Sequence, residues 1–160
     1  MHILVVGGGM GGTILANNLA RRLSGELEQG SSKITMLSAT DKHMYQPGLL
    51  YVAVGKMSTT ELYRDQKSLL EPSIDFHVDP VEKFDMDNNS VTTKSGKKIS
   101  YDILCIATGS RGNAAGIPGL AENACQFYTE ADALAMYKKL QKFEGGKVVV
   151  ATGVPHKCPM

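Results

Sequence analysis

Three glycines, Gly7, Gly9 and Gly12, stand directly behind a short aliphatic run, Ile3-Leu4-Val5-Val6, and ahead of a segment with helical spacing. That order suits one task, holding the diphosphate of a dinucleotide. The first glycine permits a tight turn, the second lets backbone approach the pyrophosphate, and the third lets helix and strand pack closely. The diphosphate then rests on the free N–H groups and positive end of the helix. Met10 and Gly11 complete the loop, so Gly7, Gly9, Met10, Gly11 and Gly12 form the candidate cradle. An acidic residue is expected where the second strand ends, to hold ribose hydroxyls; Ser38 stands there, followed by Ala39. A serine can hydrogen-bond a ribose, though less strongly than a carboxylate. Asp41 offers a substitute carboxylate from the following loop, though it reads first as a turn former.

The candidate nucleophiles are Cys105, Cys125 and Cys158, a sparse, odd set with neither a disulfide framework nor metal-ligand spacing. The histidines (His2, His43, His77 and His156) include no pair at helical ligand spacing, so no metal site is expected. Cys105 lies among apolar residues and reads as a small core residue. Cys125 reads as structural. Cys158 lies on an expected loop, next to His156 and Lys157 and ahead of Pro159. Positive neighbours stabilise a thiolate, the form that attacks sulfur. On spacing alone, an inconsequential loop thiol fits Cys158 equally well. His156 is a secondary candidate for proton transfer, and His43 and His77 read as solvated polar residues.

These groups need elements to carry them. Strand 3–6, a helix bearing Ile14, Leu15, Leu19 and Leu23, a loop over 25–32 and strand 34–37 make a β-α-β unit with a right-handed crossover. Residues 38–57 read as irregular, 59–70 as helical and 74–78 as a strand. Strands 81–84 and 90–93 form a hairpin around Asp87-Asn88-Asn89, with a further turn at Gly96-Lys97 before Ile99. The run 102–107 reads as a buried parallel strand ending at Thr108-Gly109. A Gly/Pro loop follows, then a helix over about 130–143 capped by Thr129, then a buried strand over 147–151. A new β-α unit without its helix makes the 160 residues read as a fragment of something longer. The apolar fraction of 42%, charged fraction of 21% and net charge of +1 are those of a globular protein without a nucleic-acid or anionic-membrane footprint. No apolar run approaches the roughly 18 residues of a membrane span, and no secretory signal opens the chain, so a cytoplasmic location is expected.

Two further stretches carry a resemblance. Tyr101-Asp102-Ile103-Leu104-Cys105-Ile106-Ala107-Thr108-Gly109-Ser110 is similar to the Ala-Thr-Gly strand of flavoproteins with two dinucleotide domains. The loop from His43 through Tyr45, Gln46, Pro47 and Leu49 to Gly55 resembles that of sulfide:quinone oxidoreductases and type II NADH dehydrogenases. Both belong to the pyridine nucleotide-disulfide oxidoreductase superfamily. After 148–151, where an NADH dehydrogenase would repeat a glycine fingerprint, the chain has Gly153-Val154-Pro155-His156-Lys157-Cys158-Pro159. That stretch is similar to the Gly-x-Pro-x-Lys-Cys-Pro of the sulfide branch.

The resemblance implies an α/β architecture: a Rossmann-like FAD-binding domain with a parallel central sheet and an inserted antiparallel β-meander, plus the start of a second dinucleotide-type domain. It assigns 1–111 to the first segment of the FAD domain and 112–160 to the connection and second domain. It further implies that FAD is contacted by the glycine loop, Ser38 and Ala39, by Gln46 and Pro47, by Val81, and by Ala107, Thr108 and Gly109. Cys158 becomes the catalytic cysteine, with sulfide as substrate and a quinone as acceptor. A type II NADH dehydrogenase and a non-catalytic nucleotide-binding module are the alternatives. The returning segment and the membrane-associating carboxyl end of such enzymes, which would hold them at the cytoplasmic face, lie beyond this stretch. The 160 residues alone are therefore expected to show no sulfide-dependent reduction of decylubiquinone.

Overall fold

The computed structural model describes residues 1–151, and the chain divides into two compact units. The first comprises Met1–Met44 and Tyr63–Ser110, and the second comprises Tyr45–Leu62 with the chain from Arg111 onward.

In the first unit, β1 (His2–Val6) leads through α1 (Met10–Arg22) and the short α2 (Ser24–Glu28) to β2 (Lys33–Ser38). The excursion strands β3 (Lys42–Met44) and β4 (Tyr63–Asp65) pair antiparallel, Met44 opposite Tyr63. Then come β5 (Ile74–Val78), a meander of β6 (Val81–Asp85), β7 (Ser90–Thr93) and β8 (Lys98–Ser100), and finally β9 (Ile103–Ile106). The main sheet is parallel throughout, in the order β5-β2-β1-β9.

Alternation along the strands divides the core into two. Ile3, Val5, Ile34, Met36 and Ile74 face α1, where Ala16 and Ala20 are buried against them. Leu4, Val6 and Leu37 face the meander, where Val91 and Tyr101 close the layer with Val81, Ile99 and Leu104. The unit is thus three layers, helix, parallel sheet and meander. The expected β-α-β unit and hairpin are present; Asn89 takes the left-handed conformation (φ 45°) at the hairpin turn, and Gly96 does so (φ 85°) at the next one.

Four expectations need correction. Helix α1 does not bury Ile14 or Leu15; they are 53% and 37% exposed, while Thr13, Ala16 and Ala20 point inward. Gly12 draws the start of the helix onto the Gly7 turn, and Leu19 and Leu23 pack at the edge of the same core. Residues 59–70 are not one helix: two single 3-10 turns, Thr59–Leu62 and Lys67–Leu69, flank β4, because pairing with β3 outweighs local propensity. Part of the expected 25–32 loop is helical as α2. Strand β9 is not buried on both faces; it pairs only with β1 among the described residues, and Ile103 and Ile106 are 44% and 58% exposed.

In the second unit, α3 (Gly48–Ala53) buries Leu49, Val52 and Ala53, which accounts for the apolar character of a stretch expected to be irregular. It packs against α5 (Glu130–Gln141), which follows the one-turn α4 (Leu120–Asn123). A side chain on Gly55 would collide with Tyr137 of α5. Thr129 caps α5 as expected: its Oγ1 accepts from the Asp132 N–H at 3.2 Å, and its own N–H donates to the Asp132 carboxylate at 3.2 Å. The strand expected over 147–151 does not form, and Val148, Val149 and Val150 are 63%, 75% and 95% exposed. A β-branched run makes a strand only beside a partner strand, and none lies next to it among the described residues.

Candidate functional site

In an open parallel sheet the ligand crevice lies beyond the carboxyl ends of the strands, where connections leave in opposite directions. In the order β5-β2-β1-β9, β1 leads to β2 on one side while β9 joins on the other, so the crevice opens between β1 and β9. Gly7 follows β1 and Ala107 follows β9, and these two residues flank that point. The Gly7 N–H donates to the Leu37 carbonyl at 2.8 Å, and the Ala107 N–H donates to the Val6 carbonyl at 2.7 Å.

The glycines of the loop are not equivalent. Gly7 has φ 116°, and a Cβ there would overlap the Ala107 carbonyl. A Cβ on Gly12 would overlap the Gly7 carbonyl oxygen. A Cβ on Gly8 would come within 2.5 Å of Ser38 Oγ. These three let backbone, strand end and helix approach one another. At Gly9 and Gly11, by contrast, an added Cβ would meet nothing within 4 Å, so the loop's outer backbone is open. Gly9 caps α1 without a side-chain partner, and no acidic residue occupies the first turn. The first-turn N–H groups have no carbonyl one turn earlier, and they carry the positive end of the helix dipole. The opening therefore fits a diphosphate that a dinucleotide would bring.

The other candidate residues divide between the units. Ser38 is 5% exposed at the end of β2, where its Oγ accepts from the Thr40 N–H at 3.4 Å; Ala39 beyond it is exposed. Thr108 and Gly109 are exposed beyond Ala107, Gly109 with φ 73°. Val81 opens β6 opposite Thr93 and packs into the meander-side core. Gln46 and Pro47 belong to the second unit, just before α3. Cys158, with His156 and Lys157, lies outside the described residues.

Behind the glycine loop is a polar cluster that sequence reasoning missed. Gln66 is 0% exposed. Its Nε2 donates to Thr13 Oγ1 at 2.9 Å, and its Oε1 lies 3.0 Å from His43 Nδ1. Thr13 Oγ1 donates to the Gly8 carbonyl at 3.3 Å, and His43 Nδ1 lies 3.2 Å from the same oxygen. His43 is thus no solvated residue but half-buried against the loop. A threonine directly after the third glycine was the one available signal. His77 is half-exposed, with its Nε2 2.8 Å from the Asp75 carboxylate.

Cys105 is half-buried beside the α1-side core, and burial pushes its thiol above the ordinary range. Cys125 is exposed. Iodoacetamide at mildly alkaline pH is expected to label Cys125 at least about tenfold faster than Cys105, read by peptide mass mapping. Equal rates would place Cys105 outside the core. Among the described residues, no cluster of three metal-ligating side chains occurs, and no helix is long and apolar enough to cross a membrane.

Comparison with known proteins adds four findings. Residues 1–154 match the pyridine nucleotide-disulphide oxidoreductase family. The chain is 38% identical over 152 residues to the sulfide-quinone reductase of Aquifex aeolicus, covering 93% of this chain and 34% of that protein. It is 30% identical over 163 residues to the mitochondrial sulfide:quinone oxidoreductase of Mus musculus, covering 98% and 35%. The crystal structure of the Aquifex aeolicus sulfide:quinone oxidoreductase superimposes with a TM-score of 0.73 at 34% identity, covering 88% of this chain and 32% of that one. The chain thus spans about a third of the length of the curated relatives it matches.

Proposed function

Because the chain belongs to the pyridine nucleotide-disulphide oxidoreductase family, we propose that it is the FAD-binding portion of a sulfide:quinone oxidoreductase-like flavoprotein. In this reading sulfide is oxidised through a cysteine and FAD, and the electrons pass to a quinone. The observation that carries it is the open backbone at Gly9 and Gly11, set on a helix start at the switch point of a parallel sheet.

Bound FAD would supply the two-electron redox chemistry. The chain's own residues bind and orient it. Gly7 and Gly12 shape the turn so that Gly9, Met10 and Gly11 meet the diphosphate with backbone alone. Ser38 and Ala39 close the ribose side at the end of β2, and Val81 lines the meander side. Ala107, Thr108 and Gly109 run past the opening opposite Gly7. Gln46 and Pro47 are assigned to FAD by the family resemblance alone. Residues 1–111 form the first segment of the FAD domain, and 112–160 form the connection and the start of the second. Cys158 carries the sulfur: His156 and Lys157, its neighbours in sequence, favour its thiolate.

The test is a titration of the purified chain with FAD, followed by flavin fluorescence and by retention of the yellow chromophore through gel filtration. Saturable binding of one FAD per chain is expected, with no comparable binding of NADH. A chain that binds neither, or NADH alone, would overturn the assignment.

A further inference from the structure

We propose that Gln66 is a positioning residue for the cofactor loop, acting through a directed hydrogen-bond relay that also sets the tautomer of His43. The proposal rests on the reading of the glycine loop as an FAD cradle. Its physical basis is the burial of Gln66, whose amide lies wholly inside the protein and whose two ends meet different partners. A buried amide that leaves a polar atom unpaired is costly, so its orientation follows from the groups around it.

One orientation gives Thr13, Met36 and the Gly8 carbonyl their partners together, and it sets a protonated His43 Nδ1 3.4 Å from Thr13 Oγ1, whose second lone pair faces it. With Nε2 toward α1, the amide donates to Thr13 Oγ1 at 2.9 Å and faces the weak acceptor Met36 Sδ at 3.9 Å. The Thr13 hydroxyl proton is then free to donate to the Gly8 carbonyl. At the other end Oε1 accepts from His43 Nδ1–H, whose second neighbour, the Gly8 carbonyl, is also an acceptor. Turning the amide over would set Oε1 against the sulfur and draw the Thr13 proton away from Gly8. It would also aim an N–H₂ group at His43 Nδ1, leaving that nitrogen to accept and its 3.2 Å approach to the Gly8 carbonyl without a proton between them. The relay therefore runs from Gln66 through Thr13 to Gly8, while Gln66 and Gly8 together hold the proton on His43 Nδ1.

This arrangement ties three separate segments to the loop. Thr13 comes from α1, and His43 from β3. Gln66 follows β4, and its own N–H donates to the Asp41 carbonyl at 2.7 Å. The Gly8 carbonyl is the anchor, and the next residue, Gly9, begins the open backbone that would meet the diphosphate. Fixing the Gly8 peptide in advance removes ordering that binding would otherwise have to supply.

Three variants of the chain test this: Gln66→Met and Thr13→Val, which each break the relay, and Thr13→Ser, which keeps the hydroxyl. Gln66→Met and Thr13→Val are each expected to weaken FAD binding about tenfold, with the double variant little worse than either single one. Thr13→Ser is expected to restore the affinity. In the flavin-free chain, the amides of residues 9–13 should exchange at least about tenfold faster in Thr13→Val than in the unaltered chain. The imidazole nitrogen shifts should report Nδ1–H in the unaltered chain and lose that preference in Gln66→Met. If the unaltered chain fails to bind FAD, the cofactor assignment falls, and the exchange and tautomer measurements decide the relay by themselves. FAD affinity unchanged in Thr13→Val, unchanged loop exchange, or His43 protonated on Nε2 alone would overturn the relay. Should Gln66→Met prove too unstable to purify, the Thr13→Val and Thr13→Ser pair decides.

Discussion

Alanine at Gly12 is expected to abolish FAD binding and to destabilise the first unit by about 2 kcal/mol or more, whereas alanine at Gly9 abolishes binding without a comparable loss of stability. At Gly12 two effects oppose one another. Alanine is the better helix former by about 1 kcal/mol, since glycine gives up more backbone freedom on folding. Against this, the new methyl would overlap the Gly7 carbonyl oxygen, which is backbone and cannot swing aside like the end of a side chain. Either the helix retreats from β1, or the Gly7 turn opens toward Ala107, where it is already in close contact. Overpacking against backbone therefore outweighs the helix preference, and the displaced loop no longer presents its N–H groups together. At Gly9 a methyl meets nothing within 4 Å, so the only folding cost is the poorer capping preference of alanine, under about 1 kcal/mol. The same methyl stands where the diphosphate must approach. Denaturant midpoints and flavin-quenching titrations of the two variants separate the effects. Normal FAD affinity in Gly9→Ala would move the diphosphate away from this loop.

The second large effect is chemical. In a complete protein carrying this sequence, Cys158→Ser is expected to lower sulfide-dependent quinone reduction by at least about a thousandfold, with flavin content unchanged. Serine keeps the shape of cysteine but holds its proton far above neutral pH, so it offers neither a thiolate to attack sulfur nor an atom that can carry it. Flavin stoichiometry should be unaffected because Cys158 is not among the residues proposed to hold the diphosphate or ribose. Cys105→Ser and Cys125→Ser serve as comparisons, since one thiol is half-buried by the sheet and the other is exposed before α5. Both should retain turnover. Sulfide-dependent activity surviving in Cys158→Ser, or lost equally in Cys125→Ser, would remove Cys158 from its role.

Where local chemistry dominated, the sequence was legible. The glycine spacing between a strand and a helix, the Asp87-Asn88-Asn89 turn and the Thr129 cap each depend on residues within a few positions, and each occurs in the structure. The shape of the opening was legible for the same reason, because glycines dictate how closely backbone, strand end and helix approach there. Family membership was legible in the same way, from short motifs quoted residue by residue.

Tertiary structure decided what depended on distant partners. The inner face of α1 belongs to Thr13, Ala16 and Ala20 rather than Ile14 and Leu15, with Leu19 and Leu23 packing beside it, because Gly12 draws the start of the helix onto the Gly7 turn. The 102–107 run and the 147–151 run have similar composition, yet the first forms β9 beside β1 and the second forms no strand among the described residues. The difference lies in the neighbour, since a strand's hydrogen bonds are all made to other segments. Gln66 is the clearest case. Nothing near it in sequence marks it, and its place under the glycine loop arises only when β3 and β4 pair and bring it to Thr13 and His43. The sequence by itself determined which backbone could cradle a dinucleotide. Only the fold determined what holds that backbone still, because burial and directed hydrogen bonds are properties of residues brought together from far apart in the chain.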